Sequence, residues 1–157
     1  MDLAKIQADF IKRAFKVTRK ETLVHGEING WKMIGNEFRV FFIPEMDCLL
    51  DLDTLDYLDY SKRIKTEAIK NLIDTEGAET LEVTSKIIRD EEFKRDIRIL
   101  KLGEQSICIN DKYFKEFTDK CNEPMEFKGK RRNSAVSVWK NHSLVGIIMP
   151  ILCKEEK

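Results

Sequence analysis

The spacing of apolar residues along the chain predicts three helices. Between residues 2 and 19, apolar side chains recur every three or four positions, as they do on the buried face of an amphipathic helix. A second stripe with the same spacing runs from Ile64 to Ile73. A third helix is expected to begin after Asn110, because asparagine commonly caps the first turn of a helix, and to bury Tyr113 and Phe117.

Between these helices the apolar residues alternate with polar ones in short runs, which indicates β-strands. The predicted strands are 22–28, 31–34, 38–43, 81–88, 97–102, 106–109, 125–128, 136–138 and 144–151, with a further candidate at 48–50. Turns are expected at Asn29-Gly30 and at Gly35-Asn36, where positive φ angles are tolerated. The last strand should place Ile147 and Met149 on one face and Ile148 on the other.

A helix followed by short strands occurs near both ends of the chain, although the two stretches share little residue identity. This order predicts one α+β domain, spanning 1–157, that is built from duplicated helix-plus-antiparallel-strand units. The first unit is 1–52 and the second is 105–153. A divergent middle, 53–104, carries the second helix.

Composition limits the functional classes. Charged residues make up 36% of the 157 positions, so we expect a soluble protein, and 28 basic side chains balance 28 acidic ones. This balance argues against a uniformly basic nucleic-acid binder but allows charge to be segregated between faces. Segregation is visible: residues 1–20 hold six basic and two acidic side chains, whereas 45–60 is acidic and contains no lysine or arginine.

The four cysteines form no closely spaced pair, so we expect reduced thiols, no zinc site and no cofactor. No apolar run is long enough to cross a membrane, and none follows Met1 as a signal peptide would require. The expected compartment is therefore the cytoplasm.

The order of elements from Ser106 to Leu152 supports a family resemblance. This segment has a strand, a helix opening at Asn110, three antiparallel strands and an apolar run that closes on Met149-Pro150. It resembles the C-terminal part of the bacterial DNA polymerase sliding clamp, the processivity factor of DNA replication. The resemblance extends loosely to the first 43 residues. It implies a clamp-like, non-enzymatic protein that associates with duplex DNA or with replication proteins. A clamp subunit has three such domains and this chain has one, so a ring implies a homo-oligomer.

The resemblance also implies two kinds of site. Clamp helices contact backbone phosphates through long basic side chains, and a clamp binds partner peptides beside its terminal Met-Pro strand. The matching residues for nucleic acid are Lys5, Lys12, Lys16, Arg19, Lys112 and Lys115, and those for a peptide are Ile147, Met149 and Pro150. Independently of the resemblance, a basic hairpin could grip phosphates through Lys128, Lys130, Arg131 and Arg132.

Two other functions remain open from the sequence. The balanced charge and the acidic segment favour a small protein-interaction or inhibitor protein, of the kind that mobile elements carry. A Mg²⁺-dependent nuclease would use Asp111, Glu126 and Lys128, since carboxylates bind the metal and lysine steadies the attacking water. The chain contains no GxSxG, P-loop or GxGxxG motif, and we expect a non-enzyme with no catalytic or metal-binding residues.

Overall fold

A computed structural model describes residues 1–16, 22–55, 66–73 and 75–152 as a mixture of helices and antiparallel strands. The helices are α1 (Leu3–Ala14), α2 (Leu52–Leu55), α3 (Thr66–Leu72) and α4 (Asp111–Thr118), with a 3-10 turn at Glu45–Asp47. The strands are β1 (Leu23–Ile28), β2 (Trp31–Asn36), β3 (Arg39–Pro44), β4 (Glu79–Thr80), β5 (Glu82–Asp90), β6 (Arg95–Leu102), β7 (Gln105–Asn110), β8 (Glu126–Gly129), β9 (Val136–Lys140) and β10 (Ser143–Ile148). The predicted α+β class is confirmed.

Two antiparallel sheets organise the described part of the chain. The larger has seven strands in the order β1-β2-β3-β10-β9-β8-β4, and the smaller has three in the order β5-β6-β7. At the middle of the larger sheet β3 pairs with β10, with Phe41 opposite Gly146. A three-strand meander extends from each side of this pair, and a helix precedes each meander, α1 before β1 and α4 before β8.

The helices cover both faces of the seven-stranded sheet. Phe10 of α1 and Phe117 of α4 share one apolar core with Phe41, whose ring stacks on Phe117 at 4.5 Å between centroids. Ile69 of α3 belongs to a second core, on the opposite face, with Val40. The three-stranded sheet adds its own residues to the first core, namely Leu100, Ile107 and Ile109. Thus α1 and α4 lie on the same side of the larger sheet.

The last strand departs from the predicted alternation. β10 pairs with β9 through a bulge between Leu144 and Gly146, and this bulge turns Val145 and Ile148 toward the α1–α4 core. A Cβ atom at position 146 would lie 2.4 Å from the Phe117 ring, so only glycine permits this packing. β10 also ends at Ile148, earlier than the predicted end at 151.

The predicted turn at Gly35-Asn36 is wrong by two residues. Both positions belong to β2, and the chain turns at Glu37 and Phe38. Glycine is needed at 35 because a Cβ there would lie 2.2 Å from the carbonyl oxygen of Arg39. The Asn36 side chain then accepts hydrogen bonds from the backbone N–H groups of Phe38 and Arg39, at 3.1 and 3.2 Å.

The candidate strand at 48–50 is also absent. Gln7, which is buried in α1, holds this segment by donating to the carbonyl oxygen of Asp47 at 3.0 Å and accepting from the N–H of Leu49 at 2.6 Å. These bonds replace the ladder that a strand would need. Predicted helix residues 17–19 and 64–65 lie outside the described part of the chain.

The expectation of four reduced cysteines is wrong for Cys108, which is disulfide-bonded. Cys48 and Cys121 are free thiols. Within the described ranges, every helix is too short or too polar to cross a membrane.

Candidate functional site

A groove of about 600 Å³ runs between α1 and α4, and we call it the helix groove. Its apolar floor includes Ile6, Phe10, Ile34 and Phe41. Charged side chains form the walls. The basic ones are Lys5, Arg13, Arg39, Arg89, Lys94, Arg95, Lys112, Lys115 and Lys120, and the acidic ones are Asp2, Asp9, Asp96, Asp111, Glu116 and Asp119. The walls are therefore of mixed charge with a basic excess.

Hydrogen bonds connect the residues at the start of α1 to those just after the end of α4. Asp2 caps α1 by accepting a hydrogen bond from the N–H of Lys5 at 3.0 Å, and its second oxygen meets the Lys120 ammonium at 3.0 Å. The amino group of Met1 donates to the carbonyl oxygen of Asp119 at 2.8 Å. These hydrogen bonds, led by that from Lys5, hold the pKa of Asp2 below its ordinary value. One end of the groove is thereby fixed.

A buried carboxylate ties α4 to the three-stranded sheet. Asp111 is only 2% exposed, and its two oxygens bond to Arg98 Nε at 2.6 Å and to Lys115 Nζ at 2.7 Å. Burial alone would raise the pKa of Asp111, but the bonds from Lys115 and Arg98 outweigh it and lower the pKa. The bond with Asp111 in turn raises the pKa of Lys115. Lys115 is therefore already committed to a structural ion pair.

A second ion pair ties α4 to the seven-stranded sheet. The buried Arg39 guanidinium meets the Glu116 carboxylate through both Nε and Nη2. It also lies 4.6 Å from the Tyr113 ring centroid, within cation–π range. Arg39 and Glu116 thus close the inner wall of the groove and leave little charge open to a ligand.

Three lysines on the groove walls remain open. Lys5 on α1, Lys94 on the β5–β6 turn and Lys112 on α4 are all exposed, and no ion pair joins their ammonium groups to a carboxylate in the part of the chain that is described. They come from three different elements. The groove therefore offers three separated positive charges above an apolar floor.

The structure divides the predicted nucleic-acid residues into two groups. Lys5, Lys112 and Lys115 line the groove, while Lys12 on α1 and Lys16, two residues beyond its end, are exposed outside the groove. Lys12 lies 4.0 Å from Asp9. The prediction at Arg19 falls outside the described residues.

The predicted basic hairpin forms the β8–β9 turn, and none of its four residues lines the groove. Lys128 is engaged within β8: its ammonium lies 3.5 Å from Glu126 and 4.8 Å from the Trp139 ring centroid. The turn itself is shaped by the Ser134 hydroxyl, which accepts from two backbone N–H groups at 3.1 Å. These two are the N–H groups of Lys130 and Arg131. Of the four basic side chains, Lys128 and Arg132 are half-buried, and Lys130 and Arg131 are exposed.

An apolar recess of about 400 Å³, which we call the apolar hollow, adjoins the helix groove. Its lining is Phe38, Phe93, Arg95, Asn110, Tyr113, Met149, Pro150, Ile151 and Leu152. Phe93 is 62% exposed and Leu152 is 80% exposed, an unusual degree for large apolar side chains. The predicted peptide residues Met149 and Pro150 lie here.

The third predicted peptide residue, Ile147, lies elsewhere. It is 1% exposed and packs in the core under α3, because side chains alternate along β10 and that of Ile147 lies on the face opposite Ile148. Sequence analysis missed Phe38, Phe93 and Tyr113 as lining residues of the hollow. The signal for Phe38 and Phe93 was available, since each is an apolar residue in a predicted turn or charged connection.

The residues of the nuclease alternative do not form a metal site. Both oxygens of Asp111 are bonded to cations, and Glu126 pairs with Lys128. No three histidine, cysteine or carboxylate side chains within the described ranges are grouped so that they could hold a metal ion.

Comparisons of the chain with protein-family models, with curated proteins and with solved structures found no match.

Proposed function

We propose that the chain is a non-enzymatic, clamp-like module that associates with duplex DNA through its backbone phosphates. The observation that carries the proposal is the arrangement of α1-β1-β2-β3 and α4-β8-β9-β10 about the β3–β10 pair. This arrangement places two helices side by side on one sheet face. It is the arrangement that duplicated helix-plus-strand units and the clamp resemblance imply.

The charges on this helix face support contact with phosphates rather than with bases. Lys5 and Lys12 on α1, Lys112 on α4 and Lys16 just beyond the end of α1 are long and exposed. Such side chains neutralise phosphate without reading sequence. About four phosphate contacts give a log–log salt slope of about −3.6, so affinity should fall about 150-fold between 50 and 200 mM salt.

A charge-reversal experiment tests this proposal. Duplex binding is measured by fluorescence anisotropy for the wild type and for the double variant Lys12→Glu/Lys112→Glu. The matched control is Lys70→Glu/Lys86→Glu, which changes net charge equally away from the helix face, on α3 and β5. We expect the first pair to abolish binding at low salt and the control to retain it. Equal loss in both variants, or an affinity that ignores salt, would contradict the proposal.

The clamp form of the proposal also requires assembly. One chain carries one clamp-like domain, so encircling a duplex requires a homo-oligomer, and six copies would match the six domains of a clamp ring. Light scattering coupled to gel filtration measures the mass of the particle directly. If the protein were a monomer that binds DNA in a salt-sensitive way, the proposal of DNA binding would stand and the proposal of a ring would be rejected.

The apolar hollow favours a second candidate, a protein-interaction module. Its observation is the exposure of Phe93 and Phe38 around Met149 and Pro150. A random peptide library selected on the wild type and on Phe93→Ser tests it. We expect apolar peptides to be enriched on the wild type alone, and equal enrichment on both proteins would reject this candidate.

A further inference from the structure

We infer that the apolar hollow and the helix groove form one continuous site for a linear peptide, whose apolar residues fill the hollow and whose acidic residues lie on the groove walls. This inference rests on the second candidate function and specifies the chemistry of the partner. It also assigns the binding role to Lys94 and Phe93, which lie on the β5–β6 turn.

The two recesses are continuous because they share wall residues. Arg95 and Asn110 line both. Neighbouring positions on the same two elements then point to different recesses: Phe93 lines the hollow while Lys94 lines the groove, and Tyr113 lines the hollow while Lys112 lines the groove. A chain lying across Arg95 and Asn110 would meet an apolar surface on one side and lysines on the other.

The three groove lysines that lack an ion pair in the described part of the chain favour a ligand that carries carboxylates. Most groove carboxylates already have a cation: Asp2 has Lys120, Asp96 has Arg89, Glu116 has Arg39, Asp9 has Lys12, and Asp111 has Arg98 and Lys115. Among the described groove residues, Asp119 is the only carboxylate without an ion pair, against the three open lysines. The ligand that complements this surface is acidic.

Arg95 is held in a fixed position where the recesses meet. Its Nε lies 2.9 Å from Asp90, and its guanidinium lies 4.7 Å from the centroid of the Phe93 ring. Hydrogen bonds from the Phe93 N–H and the Arg95 guanidinium overcome the effect of burial and keep the pKa of Asp90 low. The turn that carries Phe93 and Lys94 is therefore preformed, which reduces the ordering cost of binding.

Lys94 occupies a backbone position that does not favour lysine. Its φ is +50°, in the left-handed region that glycine adopts without a steric penalty. Substituting glycine would relieve this strain and remove the ammonium group at once. A residue that opposes stability and faces a recess is a candidate for binding.

The hollow favours peptide side chains over nucleic-acid bases. Met149, Pro150, Ile151 and Leu152 contribute an aliphatic wall. The aromatic rings already have neighbours, since Tyr113 stacks on Phe38 at 6.3 Å between ring centroids and the Arg95 guanidinium lies 4.7 Å from the Phe93 centroid. Single-strand binders instead present open aromatic faces to successive bases. Single-stranded DNA is therefore the competing occupant that the experiment must separate.

The test uses fluorescein-labelled peptides and fluorescence anisotropy with the full chain. The probe has two leucines, a glycine and four glutamates; one control replaces the glutamates with glutamines, and a second replaces the leucines with serines. An oligo-dT of ten nucleotides tests the competing occupant. We expect both control peptides to bind at least about tenfold more weakly than the probe.

Lys94→Gly provides the decisive variant. We expect it to weaken the glutamate probe about two- to fivefold, to leave the glutamine peptide unchanged, and to raise the midpoint of thermal unfolding. Phe93→Ser should weaken both peptides that carry leucines. A merely structural role for Lys94 predicts no difference between the glutamate and glutamine probes.

Three results would overturn the inference. These are equal binding of the glutamate and glutamine probes, no binding of any peptide at millimolar concentration, and tighter binding of oligo-dT that Lys94→Gly and Phe93→Ser both weaken. A separate result would reject the second candidate function, namely equal enrichment of library peptides on the wild type and on Phe93→Ser. Library peptides that depend on Phe93 but carry no acidic residues would retain that function and reject this inference.

Discussion

The two helices that flank the groove use their charges in different ways. The buried polar side chain of α1 is that of the neutral Gln7, and the lysines of this helix, at positions 5 and 12, are exposed. The 4.0 Å contact between Lys12 and Asp9 is the only ion pair between a lysine and a carboxylate within the described part of α1. The lysines of α1 therefore contribute little to the fold.

In α4 the charges fix the helix in place. Asp111 joins it to Arg98 on β6, and Glu116 joins it to Arg39 on β3, with Asp111 and Arg39 buried. Lysines on the two helices cannot be distinguished in the sequence. In the structure the Lys115 ammonium lies 2.7 Å from the buried Asp111, whereas that of Lys12 lies 4.0 Å from Asp9. Charged residues on a helix face therefore indicate ligand binding only when they are not already engaged in ion pairs that stabilise the fold.

Removing the buried carboxylate of α4 should have the largest effect. Asp111→Ala leaves the Arg98 guanidinium, whose side chain is 13% exposed, without its counter-ion. We expect a loss of about 3–5 kcal/mol in the free energy of unfolding, measured by denaturant titration. The same substitution on α1, Asp9→Ala, should stay within about 0.5 kcal/mol. A loss at Asp111 no greater than at Asp9 would remove the contrast between the helices.

Removing the neutral anchor of α1 should have a smaller effect. Gln7→Ala deletes bonds to the carbonyl oxygens of Leu3 and Asp47 and leaves the Leu49 N–H without its acceptor. We expect a loss of about 2 kcal/mol, because the bonds to Asp47 and Leu49 join α1 to a segment 40 residues away and each part-buried hydrogen bond contributes about 0.5–1.5 kcal/mol. The exposed Gln105 provides the matched control, since Gln105→Ala should cost less than about 0.5 kcal/mol. Equal losses at both glutamines would show that the 47–49 segment does not depend on α1.

The stability that α4 gains from Asp111 should depend on pH. The folded-state pKa of Asp111 lies below its unfolded value, so this contribution is present above about pH 4 and is lost as pH falls through the folded-state pKa. Asp2, Asp51 and Asp90 shift in the same direction, so the isolating measurement is the difference between wild type and Asp111→Asn. That difference should shrink between pH 5 and pH 2. A constant difference over this range would mean that the charge of Asp111 is not what stabilises α4.

Most elements could be predicted from the sequence because local signals and packing agree. The three-and-four spacing in 2–19 and the cap at Asn110 correspond to α1 and α4, and the Asn110 side chain accepts from the N–H of Lys112 at 3.0 Å. Asn29-Gly30 forms the expected hairpin, with positive φ at both residues. Turn residues and amphipathic spacing depend on residues that are close together in the chain, so both can be recognised in the sequence.

The misses have a tertiary cause. The bulge in β10 sets Val145 on the same face as Ile148, and next to it Gly146 lies against the Phe117 ring, a contact between residues that are far apart in sequence. In the sequence Gly35 suggests a turn. In the structure it lies within a strand, and glycine is required there because the Arg39 carbonyl oxygen leaves no room for a Cβ atom. Likewise, the apolar hollow brings Phe93 beside Met149 only after the two sheets are assembled. Periodicity carries no information about such contacts.

The smallest expected effect separates matched lysines on the two helices. Lys12→Ala removes a distant, exposed pair on α1 and should change the free energy of unfolding by less than about 0.5 kcal/mol. Lys115→Ala removes one partner of the buried Asp111, but Arg98 remains and the Lys115 side chain is 52% exposed, so we expect a loss of about 1 kcal/mol. In duplex binding the order should reverse, because the Lys12 ammonium makes only a long contact of 4.0 Å with Asp9, whereas that of Lys115 lies 2.7 Å from the buried Asp111. Thermal unfolding and salt-dependent anisotropy on the same two variants measure both rankings. If Lys115→Ala weakened DNA binding more than Lys12→Ala, the ion pair with Asp111 would not protect it from the ligand, and the division between structural α4 and open α1 would fail.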